Sequence, residues 1–277
     1  MAHALRTKRT LIYVFCGILT LLSILPFWIL LCNATRSVEQ IRQGLSLIPS
    51  DSLVHNWHVL MNQGFNVWQG MGNSFFIAAC STILSVYFSA MGAYAFTAYN
   101  FKGKKILFGM MIGLIMIPPQ ISMIGFYQFM MRLNLLNNYI PLILPAIAAP
   151  NTVFFLVEYM ETVYQPDYAD AARLEGASEI TIFHKIMLPI MKPGLATMGI
   201  FAFVASWNNF LMPLILINDQ AKYTLPMLVQ LLTANIYRTE FGAMYLGIGL
   251  TVIPLIIIYL LLSRYIIGGV TAGGLKE

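Results

Sequence analysis

Long apolar runs alternate with short polar connections along this chain, and six runs reach membrane-spanning length. They extend from Leu11 to Leu31, Ser74 to Tyr99, Ile106 to Met131, Tyr139 to Val157, Leu195 to Ile217 and Tyr245 to Ser263. About 20 apolar residues suffice to cross the hydrocarbon core of a bilayer as a helix. Backbone in lipid must satisfy its own hydrogen bonds, and none of the runs alternates as a barrel strand would, so each is read as a helix. The expected fold is an all-α membrane protein with six transmembrane helices. Pro118, Pro119, Pro141, Pro145 and Pro150 fall inside expected spans and predict bends, which membrane helices tolerate where the break is buried or lines a cavity.

Composition agrees with this pattern. Of the 277 residues 58% are apolar and 10% charged, which leaves no room for a separate soluble domain, so residues 1–277 are expected to form a single membrane domain. With the N-terminus inside, eleven Lys and Arg fall on the inner side, and five, Arg36, Arg42, Arg132, Lys222 and Arg238, on the outer side. Both termini are therefore expected in the cytoplasm. The run after Arg6, Lys8 and Arg9 is too long for a signal core and lacks a small-residue cleavage pattern, which suits a retained span. The basic residues are dispersed over short connections and not interleaved with aromatics, so they point to membrane orientation and not to nucleic acid.

The cysteines Cys16, Cys32 and Cys80 have no metal-ligand or disulfide spacing, and no metal site is expected. His55 and His58 lack a third ligand and are read as surface residues. Gly109 and Gly113 form a G-x-x-x-G that either packs two spans or arises by chance. Within the six runs there is no Asp, Glu, Lys, Arg or His. Ionisable groups are costly in a membrane and mark proton relays, so a proton-coupled transporter is disfavoured, while sodium coupling through carbonyls and hydroxyls stays open. The phosphate-cradling pattern G-x-x-x-x-G-K-[ST] is absent, so no ATPase site is expected in this chain. The lack of a catalytic constellation argues against a membrane enzyme.

The longest inner connection is punctuated as two short helices, within residues 164–189. Pro166 opens the first, and Gly176 ends it in a left-handed conformation. Ser178 caps the second, Glu179 favours its first turn, and Pro189 is expected to limit its extent. Ile180, Phe183 and Met187 form an apolar stripe beside Glu179, His184 and Lys185, as in a helix that docks on a partner.

The stretch Asp170-Ala-Ala-Arg-Leu-Glu-Gly-Ala177, continued through Phe183 to Leu188-Pro189, resembles the E-A-A loop of bacterial ABC importer permeases. Asp170 stands where that family usually has Glu, and Glu175 where it usually has Asp. Trp207-Asn-Asn-Phe-Leu-Met-Pro213 resembles the W-N-x-F motif of maltose-type permeases, with Asn209 where an acidic residue is common. The tail Gly269 to Lys276 resembles the ending of the shorter permease of the pair, and Asn73-Ser-Phe-Phe opens the second span as in that branch.

The resemblance implies a subunit of the bacterial cytoplasmic membrane that imports a sugar, a di- or oligosaccharide. The implied partners are a longer sister permease, two ATPase subunits that bind ATP and Mg, and an extracytoplasmic solute-binding protein. On this reading Asp170, Ala171, Ala172, Glu175, Gly176, Ala177, Phe183 and Pro189 couple the subunit to the ATPase. Glycerol phosphate or an amino acid remain alternative solutes. Gln120, Gln128, Asn151, Ser206, Asn208 and Asn209 are the polar side chains in or near spans that suit either sugar hydroxyls or inter-helix bonds. Asn208, Asn209 and Gln120 are the named pathway candidates.

Overall fold

Apolar runs that must bond their own backbone fold as helices, and the computed structural model is helical with no strand among the described residues, 2–62, 66–232 and 240–273. The helices are α1 (Ala2–Ala34), α2 (Val38–Arg42), α3 (Leu53–Met61), α4 (Val67–Ala98), α5 (Lys104–Ile115), α6 (Pro119–Arg132) and α7 (Ile140–Ile143). They continue with α8 (Pro150–Val163), α9 (Pro166–Leu174), α10 (Glu179–Ile182), α11 (Leu188–Trp207), α12 (Leu211–Leu216), α13 (Leu225–Leu231) and α14 (Phe241–Gly273). Five stretches among the described residues are long and apolar enough to cross a membrane: Arg9–Ala34, Val67–Ala98, Ile140–Val163, Glu179–Trp207 and Phe241–Leu261.

Three of the expected spans differ from continuous rods. The third, expected from Ile106 to Met131, is broken between α5 and α6, which meet at 96°. Pro118 is extended (φ −60°, ψ 126°) because the following Pro119 disfavours helical backbone before it, and Pro119 then opens α6. In the fourth, a 3-10 turn, Leu144–Ile147, separates α7 from α8, which Pro150 opens. The prolines at 119, 141, 145 and 150 thus sit in first turns, where their missing N–H is harmless, and not in helix interiors.

The fifth span corrects the expectation that Pro189 stops the second loop helix. Helix runs from Glu179 to Trp207 through a π-helical turn, Phe183–Met187, before α11. Inside that turn the Leu188 N–H donates to the Phe183 carbonyl five residues back, which widens the helix just where Pro189 supplies no donor. The span ends at Trp207 instead of Ile217, and Asn208 and Asn209 lie in the break before α12. The fourth span carries Glu158 and Glu161 near its end; the fifth helix begins before the expected Leu195 and so includes Glu179, His184 and Lys185 in its first turns and Lys192 near its middle.

Contacts group the chain into two compact units, Met1–Val67 with Leu228–Ile253, and Trp68–Met227 with Pro254–Glu277. In the first, Asn56 is buried and donates to the carbonyls of Ala34 (2.8 Å) and Arg36 (3.0 Å). Arg36, also buried, donates to Asn33 Oδ1 (3.1 Å), to the Gly44 carbonyl (2.9 Å) and to the Gln40 carbonyl. Gly242 approaches this knot so closely that a Cβ would lie 2.4 Å from Asn56 Nδ2.

In the second unit α4, α8 and α11 surround a core that contains Ala90, Ala93, Leu156, Met160 and Met191. Asn73 donates to the carbonyls of Ala221 (2.9 Å) and Tyr223 (3.0 Å), and the Leu225 N–H donates to Ser74 Oγ (2.8 Å), so the start of α4 pins the segment before α13. Nothing lies within 4 Å of a Cβ built at Gly109 or Gly113, so that glycine pair packs no second helix among the described residues. The tail motif falls beyond the described side chains, and residues 274–277 and Arg238 lie outside the described residues.

The closest glycine approach among the described residues of the second unit is Gly194 of α11 against α8, where a Cβ would meet Tyr159 Cδ1 at 2.7 Å and Cγ at 2.9 Å. Overpacking of this kind costs about 1–3 kcal/mol. Gly194→Ala is expected to lower the thermal midpoint of the detergent-purified protein by several degrees. Gly194→Ala combined with Tyr159→Leu should recover most of that loss in the same melting assay.

Candidate functional site

The loop between the fourth and fifth spans has the two-helix form its punctuation predicts. Pro166 is the first residue of α9, and Gly176 is left-handed (φ +82°). The Ala177 N–H donates to the Ala172 carbonyl (2.9 Å) and the Gly176 N–H to the Arg173 carbonyl (3.0 Å), the paired bonds of a Schellman C-cap. Ser178 caps α10 by accepting from the Thr181 N–H (3.3 Å).

One face of the loop belongs to the protein core. Ala169, Ile182, Phe183 and Met187 are buried, with Ala172 and Ala177 packed against them. Phe183 stacks on Tyr94 of α4, ring centroids 6.0 Å apart. Phe183 and Met187 therefore anchor the loop, while Ile180, expected on the same stripe, is 73% exposed. Asp170, Ala171, Glu175 and Gly176 are exposed, and so is Pro189 at the start of α11.

A carboxylate ties the loop to α4. Glu179 Oε1 accepts from Arg173 Nε (2.8 Å), and Oε2 accepts from the Tyr94 (3.2 Å) and Tyr99 hydroxyls and from Arg173. Arg173 also donates to Asp170 Oδ1 (2.7 Å), and its guanidinium lies 5.9 Å from the Tyr99 ring centroid. The hydrogen bonds to Glu179, then Tyr99 and Asp170, raise the Arg173 pKa above its ordinary value, so its charge is fixed.

Reasoning from the sequence does not reach this cluster, because it assigns Glu179 only to the first turn of a helix. The available signal is an opposite-charge pair straddling the turn glycine. It does not reach Leu174 either. That residue lies off the apolar stripe, yet at the tip of the loop it is 90% exposed, beside Gly176 and next to the clamped Arg173.

A second feature lies among α4, the α7–α8 break and α11. Ser81, Ser85, Asn151, Thr152, Ser206 and Asn209 supply the polar lining of an open groove of about 310 Å³, and no charged side chain lines it. Ser81 donates to the Leu142 carbonyl (3.2 Å), Ser85 pairs with Thr152 (3.4 Å), and Asn209 Oδ1 accepts from the Met212 N–H (3.4 Å). Asn151 and Ser206 hold no such bond among the described residues. Of the named pathway candidates only Asn209 reaches the groove. Asn208 is exposed at the end of α11, and Gln120 is exposed in the first turn of α6 beyond the 96° bend.

The two features sit at opposite ends of one helix, Glu179–Trp207. Residues 86–271, which contain both the loop and most of the groove, match the family model described as binding-protein-dependent transport system inner membrane component. The chain belongs to this family. It is a multi-pass protein of the bacterial cytoplasmic membrane. As a permease component it is similar to the arabinooligosaccharides transport system permease protein AraQ of Halalkalibacterium halodurans, 38% identical over 90% of this chain and 89% of that protein. It is also similar to the trehalose/maltose transport system permease protein MalG of Thermococcus litoralis, 29% identical over 97% of each chain. Among solved structures it shares its fold with a chain of a bacterial ABC transporter involved in the import of the acidic polysaccharide alginate. The TM-score is 0.79 at 21% identity, over 94% of this permease and 96% of that chain.

If the Glu179 carboxylate holds the loop, Glu179→Ala should raise hydrogen–deuterium exchange of amides in residues 167–178 several-fold and leave exchange in residues 195–205 unchanged. Glu179→Gln, which keeps acceptors for both tyrosine hydroxyls, should give a smaller rise.

Proposed function

We propose that this permease forms half of the translocation path of an ATP-driven importer for a di- or oligosaccharide, and that its α9–α10 loop couples the path to an ATPase. The observation that carries the proposal is the exposed Leu174 at the tip of a loop that is otherwise anchored. A large aliphatic side chain left 90% in solvent on a fixed support is unfavourable in isolation and suits insertion into a partner's apolar pocket. Around it Ala171, Gly176, Asp170 and Glu175 offer close approach and polar anchoring at the rim.

The chain has no phosphate-cradling motif of its own, so ATP and Mg belong to two partner ATPase subunits. A second permease, the longer of the pair, completes the path, and an extracytoplasmic solute-binding protein delivers the sugar. ATP-driven closure of the ATPases moves the docked loop as a rigid body, and the motion passes along the Glu179–Trp207 helix to the groove. An uncharged lining of hydroxyls and amides suits a neutral polyol, and the AraQ and MalG relatives carry sugars in their names.

Two tests separate docking from recognition in the reconstituted complex. Leu174→Asp is expected to abolish solute-stimulated ATP hydrolysis and uptake while the subunit stays folded in the membrane; normal uptake would refute the docking role. Asn151→Leu and Ser206→Ala each remove a hydrogen bond worth about 0.5–1.5 kcal/mol, and are expected to raise the KM of uptake roughly 2- to 10-fold without changing basal ATP hydrolysis.

A further inference from the structure

A stretch after the first span, Gln43-Gly-Leu-Ser-Leu-Ile-Pro-Ser50, contains no charged residue, and leaves Leu45 and Ile48 each 76% exposed and Leu47 47% exposed. Its depth can be read from its bonds to α1. The Ser50 N–H donates to Thr35 Oγ1 (2.8 Å) and the Ser52 N–H to the Thr35 carbonyl (2.9 Å), so residues 50–52 sit at the end of the helix. Three residues earlier, the Leu47 carbonyl accepts from Trp28 Nε1 at 2.9 Å. Trp28 precedes Thr35 by seven residues, about 10 Å along a helix at 1.5 Å per residue, and an extended three-residue step covers about the same distance. The stretch therefore runs from Thr35 back down the side of α1.

The apolar run Leu11–Leu31 has a length of about 30 Å, which matches the hydrocarbon core of a bilayer. Trp28 lies three residues inside that run, and helical side chains lean toward the N-terminus, so its indole is deeper still. The Leu47 carbonyl is thus at or below the hydrocarbon boundary. Its bond to the indole and the bonds between Ile48 and Ser46 Oγ (N–H donating at 3.1 Å, carbonyl accepting at 3.4 Å) satisfy the backbone at the deepest point of the stretch, while the backbone of Leu45 and Ser46 has no such bond among the described residues and stays at headgroup level, with only side chains reaching the hydrocarbon. Gly44, with φ +117°, supplies the turn into the descent.

We infer that residues 44–49 form a re-entrant lipid anchor, with Leu45 and Ile48 inserted into the bilayer leaflet at the C-terminal end of α1. The occupant of this surface is lipid, because the uncharged stretch continues the exposed apolar surface of a membrane helix, with charge only at its two ends, Arg42 before it and Asp51 after it. The anchor holds the first outer connection at the membrane surface and leaves Asp51 in water, beyond the end of α1.

The test uses the full complex in lipid nanodiscs, with Cys16, Cys32 and Cys80 replaced by Ala and a nitroxide attached to Leu45→Cys, Ile48→Cys or Asp51→Cys in turn. Power saturation should show positions 45 and 48 several-fold more accessible to oxygen than to a polar nickel chelate, and position 51 the reverse. Preference for the chelate at 45 and 48 would overturn the anchor, as would closure to both reagents, which would mean a protein covers the surface. Should labelling disturb assembly, Ile48→Trp in brominated-lipid nanodiscs distinguishes the same alternatives: added fluorescence that the bromolipid quenches supports the anchor, and unquenched added fluorescence overturns it.

Discussion

The Glu179 carboxylate ties the loop between the fourth and fifth spans to α4, beside the Tyr87–His184 hydrogen bond (3.1 Å). It accepts from Arg173 across the turn and from Tyr94 and Tyr99 at the end of α4, so three segments share one hub. Charge-assisted hydrogen bonds of this kind hold direction as well as distance. With Phe183 and Met187 buried beneath, the exposed tip of the loop has a defined position against the spans. Leu174 is exposed on a support that is hydrogen-bonded and packed against α4.

The same residue begins the helix that enters the membrane. Between Glu179 and Trp207 the backbone is continuous, since the π-helical turn absorbs the missing donor of Pro189 instead of breaking there. Gly194 then lets α11 meet Tyr159 of α8 at close range, and Ser206 at the far end lines the groove. The two features are thus linked by one continuous helix, with a π-helical turn at Phe183–Met187 and Pro193 inside it. In the proposed importer, this is how an event on the ATPase side would reach the solute path.

Much of this arrangement is legible in the sequence because local rules govern it. The Pro166 start, the left-handed Gly176 and the Ser178 cap depend on the chemistry of one or two residues, and each occurs where the punctuation places it. The apolar runs likewise specify helices, because lipid permits little else. What escapes depends on contacts between segments distant in sequence. Nothing in Glu179 alone announces Tyr94 and Tyr99, which precede it by 85 and 80 residues. Leu174 is hidden for the opposite reason, since an apolar residue in a short amphipathic helix is read as buried until neighbours fail to cover it. Proline weighs too heavily at Pro189, where a π-helical turn accommodates it, and too lightly at Pro118-Pro119, where two in succession turn a bend into a 96° break.

The central claim, that the anchored loop presents Leu174 to an ATP-hydrolysing subunit, is most directly tested by placing a photoreactive benzoylphenylalanine at position 174 in the intact cell. Irradiation should yield an adduct between this chain and the cytoplasmic ATPase, identified by mass spectrometry, and no such adduct when the probe replaces Tyr13, exposed within the first span. Efficient incorporation at 174 with no adduct to an ATPase, or with adducts to this chain alone, would contradict the account.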